Sequence, residues 1–194
     1  MARPWRALAG ALTAALLASG CSDVGSTGDL DYVPGEGQVV EVAIDDREAA
    51  VEISGDTIQG ERLHLTDLRG QVVVINVWWS GCGPCRTEMP MLVQAEDELV
   101  RDHPDEVSFV GINIRDLAPE TAAAFERDRG VDYPSLYDPG SETLLELGSF
   151  APPSMPATLV LDREGRVAAL MNGPVPSKST LTTLVEDVLA ENAD

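Results

Sequence analysis

The sequence contains two cysteines, Cys82 and Cys85, whose spacing suits redox chemistry. They follow a strongly apolar segment, and a segment with helical spacing begins at Cys85. A cysteine at the first turn of a helix has its thiolate stabilised by unpaired backbone N–H groups and the positive end of the helix dipole. Cys82 is therefore the candidate nucleophile, with a pKa below the free value of about 8.5, and Cys85 is the candidate resolving thiol. Gly83 and Pro84 keep the turn between them tight, because a helix start tolerates the missing N–H of proline.

The N-terminal segment has the features of an export signal peptide. Arg3 and Arg6 give it a positive start, and the apolar run that follows is shorter than the roughly 20 residues needed to span a bilayer. The segment ends in LASGC at residues 17–21, which resembles the lipobox of bacterial lipoproteins, where the cysteine is acylated. We therefore expect Cys21 to carry a lipid that anchors the protein at the outer, extracytoplasmic face of the cell membrane. A simple cleaved signal, which would leave Cys21 as a free thiol, is the alternative.

If Cys21 is lipidated, Cys82 and Cys85 can pair only with each other. A structural disulfide stabilises a protein mainly by closing a long loop, and a bridge between residues three apart closes almost none. Half of a zinc site is the other alternative, but it needs two further ligands, for which the chain offers only His64 and His103. A redox role for the pair is therefore favoured over both.

The length and charge of the chain limit the kind of protein that it can be. Its 194 residues, 44% of them hydrophobic, suffice for one compact domain and are too few for two ordinary ones. We expect a signal peptide and lipobox over residues 1–21, a flexible linker over 22–37 and one folded domain over 38–192. With 13 Lys and Arg against 33 Asp and Glu, the net charge of -20 repels phosphate backbones and argues against nucleic acid as a partner.

The cysteine pair lies between elements whose patterns predict an α/β fold. Residues 72–79 form a near-continuous β-branched and aromatic run, typical of a central strand buried on both faces. A helix over 85–100 and a second apolar strand over 107–114 complete a right-handed strand–helix–strand unit. The remaining segments predict hairpin strands within 38–65, a helical turn over 66–70, helices over 119–129 and 142–147, strands over 157–161 and 167–171, and a last helix capped by Ser177.

The residues around the cysteines carry a family resemblance. Residues 76–90 (NVWWSGCGPCRTEMP), with VGINI at 110–114 and MPATLVLD at 155–162, resemble the TlpA/ResA-like branch of the thioredoxin superfamily, which is related to the AhpC/TSA and Redoxin proteins. The resemblance covers about residues 39–189. It implies a thioredoxin fold in which a central mixed β-sheet is flanked by helices, here with an N-terminal β-hairpin extension.

The resemblance also implies roles for residues outside the cysteine motif. It implies that Pro156 follows a cis peptide bond and lies against the cysteines, and that Met155 presents its backbone to the substrate. It further suggests that Trp78 lines the site. The family's acidic residue after the second strand corresponds to Asp116, a candidate for proton transfer to Cys85. A solvated loop carboxylate is the alternative for Asp116.

Two positions depart from the family pattern. Gly81 stands directly before the first cysteine, where the family usually has tryptophan, so the aromatic cover beside the nucleophile is reduced unless Trp79 replaces it. Asn76 occupies the position of the buried acid that assists the second cysteine in thioredoxin, so that base is missing here.

The function implied by the resemblance is thiol–disulfide exchange with protein substrates outside the cytoplasm. One such role is the reduction of apocytochrome c cysteines before haem attachment, with electrons supplied by a membrane thiol carrier. We expect no cofactor or metal beyond the cysteine pair. An oxidase that donates its disulfide to exported proteins remains an alternative, because cysteine spacing does not set the reduction potential. A copper-binding assembly module is the other alternative, although such modules generally space their cysteines by three and add a downstream histidine.

Overall fold

The computed structural model describes residues 38–191, which form strands and helices in an α/β order. The strands are β1 (Gln38–Glu41), β2 (Ser54–Asp56), β3 (Arg62–His64), β4 (Val72–Trp78), β5 (Val107–Ile114), β6 (Ser135–Asp138), β7 (Ala157–Leu161) and β8 (Val167–Asn172). The α-helices are α1 (Gly83–Asp102), α2 (Pro119–Arg129) and α3 (Lys178–Ala190), and shorter 3-10 segments cover Ile44–Asp46, Leu65–Leu68 and Thr143–Phe150. The predicted signal peptide, lipidated Cys21 and linker lie outside the described residues.

The main sheet has six strands in the order β1, β8, β7, β4, β5, β6. Strands β4, β5 and β6 run parallel to one another, whereas β7 pairs antiparallel with β4 and β8, and β8 pairs antiparallel with β1. The predicted central strand is confirmed as β4, which is buried along its whole length. The central mixed sheet and the strand–helix–strand unit from β4 through α1 to β5 are thus as the sequence predicts.

Both faces of the sheet are covered by apolar side chains. Along β4, Val72 and Val74 belong to the core cluster that contains residues of α1, α2 and α3. Val73 and Ile75 belong to a second cluster, formed with the residues before β4 and the 3-10 segment after β6. Successive residues of a strand point to opposite faces, so this split shows that β4 lies between two apolar layers.

Two of the strands within residues 38–65 form a hairpin, but the first strand, β1, is not part of it. β2 and β3 pair antiparallel as a separate two-stranded sheet, with Ser54 opposite His64. β1 instead joins the main sheet as an edge strand beside β8. Short alternating strands do not specify their partner, so only the long-range pairing with β8 decides this placement.

Two further elements differ from the sequence prediction. β6 is a strand that the sequence analysis does not predict, because it has only four residues, follows Pro134 and owes its pairing to β5, with Gly111 opposite Ser135. The helix predicted over 142–147 is a 3-10 segment, Thr143–Phe150, which contains Gly148 in a non-helical conformation. The predicted cap of the last helix is confirmed, since the Ser177 hydroxyl accepts the Thr180 N–H at the start of α3. Gly130, with a φ of 70°, ends α2.

Candidate active site

The cysteine pair is placed at the start of α1 by the chain leaving the end of β4. Cys82 is the N-cap of the helix, and its sulfur accepts the backbone N–H of Cys85 at 3.1 Å. The two residues are joined by a disulfide, with their Cα atoms 5.3 Å apart. Cys82 is 6% exposed and Cys85 is fully buried. An incoming thiol or disulfide can therefore reach Cys82 first, which is the order that a nucleophile and a resolving thiol require.

A cavity of about 540 Å³ opens beside Cys82. Met155 lines it, and the following bond to Pro156 is cis, as the resemblance implies. The register between β4 and β7 explains this position, because Val77 lies opposite Ala157 and so brings Pro156 to the end of β4 where the cysteine turn begins. The other lining residues are Trp79, Gly81, Gly83, Ile114, Arg115, Ser141, Leu144, Pro152, Pro153 and Ser154.

The two adjacent tryptophans have different places in the structure. Trp78 is fully buried and stacks on Phe125 of α2, with 5.0 Å between ring centroids, and it does not line the cavity. Trp79 lines the cavity and packs against both core clusters. A Cβ atom added to Gly81 would lie 2.3 Å from the Trp79 ring. The ring therefore fills the space that a side chain at position 81 would need, and Trp79 provides an aromatic wall in place of the tryptophan that the family usually has at position 81.

Asp116 holds the turn that leads into Cys82. Its carboxylate accepts hydrogen bonds from the Ser80 N–H at 2.9 Å, the Ser80 hydroxyl at 2.6 Å and the Asn113 side-chain amide at 2.8 Å. The Ser80 carbonyl in turn accepts a hydrogen bond from the Arg86 guanidinium at 3.0 Å. All the backbone and side-chain polar groups of Ser80 are thus engaged. The hydrogen-bond partners of the Asp116 carboxylate are Ser80 in this turn and Asn113 on β5, with neither cysteine among them.

A buried carboxylate that the sequence analysis does not identify, Glu88, lies on α1 close to the resolving cysteine. It follows Cys85 by three residues, a spacing that places two side chains side by side on a helix. One carboxylate oxygen accepts the Val175 N–H at 3.0 Å, and the other accepts the Asn76 side-chain amide at 3.4 Å. Burial raises the pKa of Glu88 to about 7, and the hydrogen bonds from Val175 and Asn76 only partly oppose this effect.

Glu88 is also the partner of Asn76. The position of the missing acid on β4 is taken by an amide, and this amide donates a hydrogen bond to a buried acid on α1. The signal was present in the sequence, since Glu88 falls on the same buried face of α1 as Cys85, Met89 and Leu92. The pattern that could have identified Glu88 is an acidic residue on the apolar face of an amphipathic helix, one turn from a reactive cysteine.

A second cavity, of about 460 Å³, lies on the other side of the motif and gives Glu88 access to solvent. Its lining is mostly apolar and comes from the start of α1 and the loop before α3: Pro84, Thr87, Glu88, Met91, Pro174, Val175, Pro176 and Ser177. Among residues 38–191, no three His, Cys, Asp or Glu side chains are grouped so that they could hold a metal ion. None of the helices in that range is long and apolar enough to cross a bilayer.

A mixed sheet that presents a Cys-x-x-Cys disulfide at a helix N-terminus, together with a cis-proline directly before β7, defines a thiol–disulfide oxidoreductase of thioredoxin fold. The Redoxin family model matches residues 48–187, and the chain belongs to that family. Among its relatives, the thiol:disulfide interchange protein HelX of Rhodobacter capsulatus is 32% identical over 130 residues, which cover 66% of this chain and 67% of HelX. The thiol-disulfide oxidoreductase ResA of Bacillus subtilis is 25% identical over 114 residues, covering 59% of this chain and 60% of ResA.

Solved structures agree with these relatives. A secreted thiol-disulfide isomerase from Corynebacterium glutamicum superposes with a TM-score of 0.74 at 32% identity, over 78% of this chain and 92% of that one. A DsbF homologue from Corynebacterium diphtheriae has a TM-score of 0.71 at 32% identity, over 80% of this chain and 96% of that one. The protein is therefore a thiol–disulfide oxidoreductase.

Proposed function

We propose that the protein acts as a disulfide reductase on polypeptides outside the cytoplasm, with Cys82 as nucleophile and Cys85 as resolving thiol. The observation that carries the proposal is the asymmetry of the pair: Cys82 borders the cavity, whereas Cys85 is fully enclosed and lies one helical turn from the carboxylate of Glu88. Met155 borders the cavity beside Cys82 and is joined to Pro156 by a cis bond, and Gly83 and Pro84 form the turn between the cysteines.

The reaction begins with the reduced pair. The Cys82 thiolate attacks one sulfur of the substrate disulfide, forming a mixed disulfide and releasing the other substrate sulfur as a thiolate. Cys85 then gives its proton to the Glu88 carboxylate, and its sulfur attacks that of Cys82. The Cys82–Cys85 disulfide forms, and the second substrate sulfur leaves and is protonated. The substrate has gained two electrons, and a dithiol donor returns the protein to its reduced form by the reverse exchange.

The pKa of Glu88 suits this proton transfer. A general base acts best when its pKa is near the working pH, and burial holds that of Glu88 at about 7. Asp116 is better placed for another role, since its carboxylate is occupied by Ser80 and Asn113. We assign proton transfer to Glu88 and support of the active-site turn to Asp116.

The reduction potential of the cysteine pair tests the proposal. The fragment 22–194 is equilibrated with dithiothreitol or glutathione buffers, and the oxidised fraction is measured by alkylation and mass spectrometry. A potential near or below about -270 mV supports a reductase fed by a thiol carrier, whereas one near about -120 mV identifies a disulfide donor instead. If no reversible disulfide forms, thiol–disulfide exchange by this pair is refuted.

We further propose that the mature protein is anchored in the membrane through Cys21, and that one class of substrate is apocytochrome c. The support for the anchor is the lipobox-like segment at residues 17–21, followed by a polar stretch. Labelling with a fatty-acid analogue tests it, since label should enter the wild-type chain and be lost in Cys21→Ser. Loss of holocytochrome c in a strain lacking the protein, restored by the wild type and not by Cys82→Ser, tests the substrate.

A further inference from the structure

The wall of the cavity beside Cys82 depends on two positions together, because Trp79 has a large side chain and Gly81 has none. Atoms of the Trp79 ring lie 2.3, 2.7 and 2.9 Å from the place of a Cβ at Gly81, closer than a real Cβ approaches any neighbour. A side chain at position 81 and the observed ring position therefore exclude each other. Trp79 also packs against the apolar clusters on both faces of the sheet, and these contacts fix the position of its ring.

A single cation lies in the lining of the same cavity. Arg115 follows Ile114, the last residue of β5, and precedes Asp116, whose carboxylate is fixed by the active-site turn. Arg115 is exposed, and its guanidinium makes no hydrogen bond or ion pair with another residue in the part of the chain that is described, 38–191. Guanidinium groups bind carboxylates in a planar, two-pronged geometry, so Arg115 is available for a carboxylate on a bound molecule.

Apolar side chains line the same cavity, and two large ones are exposed close to its lining residues in the sequence. Leu117 is 93% exposed and lies two residues beyond Arg115, while Leu145 is 80% exposed and follows the lining residue Leu144. The cavity lining itself includes Ile114, Leu144 and Met155, so an apolar side chain of a bound partner can pack there. The site thus offers an aromatic wall, an apolar lining and one available cation.

We propose that Trp79 and Arg115 determine which cysteines the protein acts on, selecting polypeptide segments that carry a large apolar side chain and an acidic side chain close to the reactive cysteine. This inference rests on the proposed exchange chemistry and names the substrate class for it. The apolar side chain packs on Trp79 while the carboxylate binds Arg115, and both contacts hold the substrate sulfur against Cys82. The bonds made and broken are those of the exchange already described, with no further reactant.

The test compares a peptide with a small molecule that undergoes the same reaction. A cysteine peptide with a leucine and a glutamate beside its cysteine is joined in a disulfide to 2-mercaptoethanol, and 2-hydroxyethyl disulfide serves as the reference. Oxidation of the reduced protein by each is followed by alkylation and mass spectrometry. The readout is the ratio of the two rate constants, which cancels any change in the reactivity of Cys82 itself.

We expect Arg115→Gln to lower this ratio about five-fold, as for the loss of one exposed ion pair. Replacing the peptide glutamate by glutamine should lower it equally, and combining the two changes should have no further effect. Arg127→Gln, which removes an exposed cation on α2 away from the cavity, is the matched control and should leave the ratio unchanged. Additive losses, or an equal loss with the control, would overturn the assignment of Arg115.

Trp79→Ala should lower the ratio about ten-fold, whereas Trp79→Phe should keep most of it, because phenylalanine retains an aromatic ring. Replacing the peptide leucine by alanine should lower the ratio of the wild-type protein to the same extent. Gly81→Ala should lower the ratio when Trp79 is present. It should have little effect when it is combined with Trp79→Ala. The inference would be overturned if Trp79→Ala left the ratio unchanged, or if Trp79→Ala lowered the ratio equally for a peptide that lacks the leucine. Either result would leave the exchange chemistry intact. Failure of the wild type to react with either disulfide would instead refute the proposed function and the inference together.

Discussion

Replacing Glu88 by glutamine tests the buried acid beside Cys85 through its effect on stability as well as on rate. Glutamine has the same shape and keeps a carbonyl oxygen that can accept the Val175 N–H, but it cannot take up or release a proton. The folded protein holds the pKa of Glu88 at about 7, above its ordinary value of 4.5. Between these values the folded chain keeps a proton on Glu88 that the unfolded chain has released.

The sign and size of the effect follow from that difference. The stability that comes from the proton on Glu88 is complete below pH 4.5 and is lost as the pH rises through about 7. Each pH unit between the two values corresponds to about 1.4 kcal/mol, so the whole loss is about 3 kcal/mol, of which about 2 kcal/mol falls between pH 5.5 and 8. The glutamine variant lacks this loss, so it should gain about 2 kcal/mol of stability relative to the wild type over that range.

The assay is urea unfolding of the oxidised fragment at a series of pH values. The series starts at pH 5.5 because the isoelectric point of about 4.2 favours precipitation at lower pH. Glu186→Gln, an exposed acid on α3, is the matched control, for which the difference from the wild type should not change with pH. A Glu88→Gln difference that is equally flat would refute the raised pKa, and with it the assignment of Glu88 as the base.

Three further predictions concern the supports of the site and the fold. Asp116→Ala should lower the free energy of unfolding by about 2 kcal/mol, because it leaves the buried Asn113 amide and the Ser80 N–H unpaired, and should slow exchange without shifting its pH profile. A shifted profile would return the proton-transfer role to Asp116. Ser177→Ala should cost about 1 kcal/mol in urea unfolding through loss of the α3 cap, and an unchanged midpoint would contradict the capping role. Gly165→Ala should cost at least about 1 kcal/mol in the same assay, since its φ is 80° and the new Cβ would meet the Arg69 guanidinium; a neutral result would mean that this turn can relax.

Local patterns in the sequence predict the parts of the fold that are themselves local. The apolar run of β4, the cysteine turn and α1 are contiguous, and each has a distinct period or cap, so their order and type are predictable. β6 is not, because four residues after a proline become a strand only when β5 is beside them. The same distinction applies to the site. The helical spacing of α1 places Glu88 on the same face as Cys85, but its hydrogen bonds join it to Asn76 of β4 and Val175 near α3, and no pattern within one segment predicts those contacts.

The roles of the two tryptophans show the same limit at the scale of one residue. Both are aromatic and adjacent, and the sequence cannot say which faces the cysteines. The register of β4 decides it, since Trp78 lies opposite Asn113 as the last residue of the strand and turns into the core. Trp79 comes after the strand end, where the missing side chain of Gly81 leaves space for its ring.

The same pair of indole rings gives the molecule a built-in optical probe. The chain has three tryptophans, and the third, Trp5, lies in the expected signal peptide, so the mature protein would contain only Trp78 and Trp79. Trp78 is enclosed on Phe125 and should emit at a constant wavelength, whereas the emission of Trp79 depends on what occupies the space next to Cys82. Binding of an unlabelled polypeptide can therefore be followed in real time, in solution and without attaching a dye.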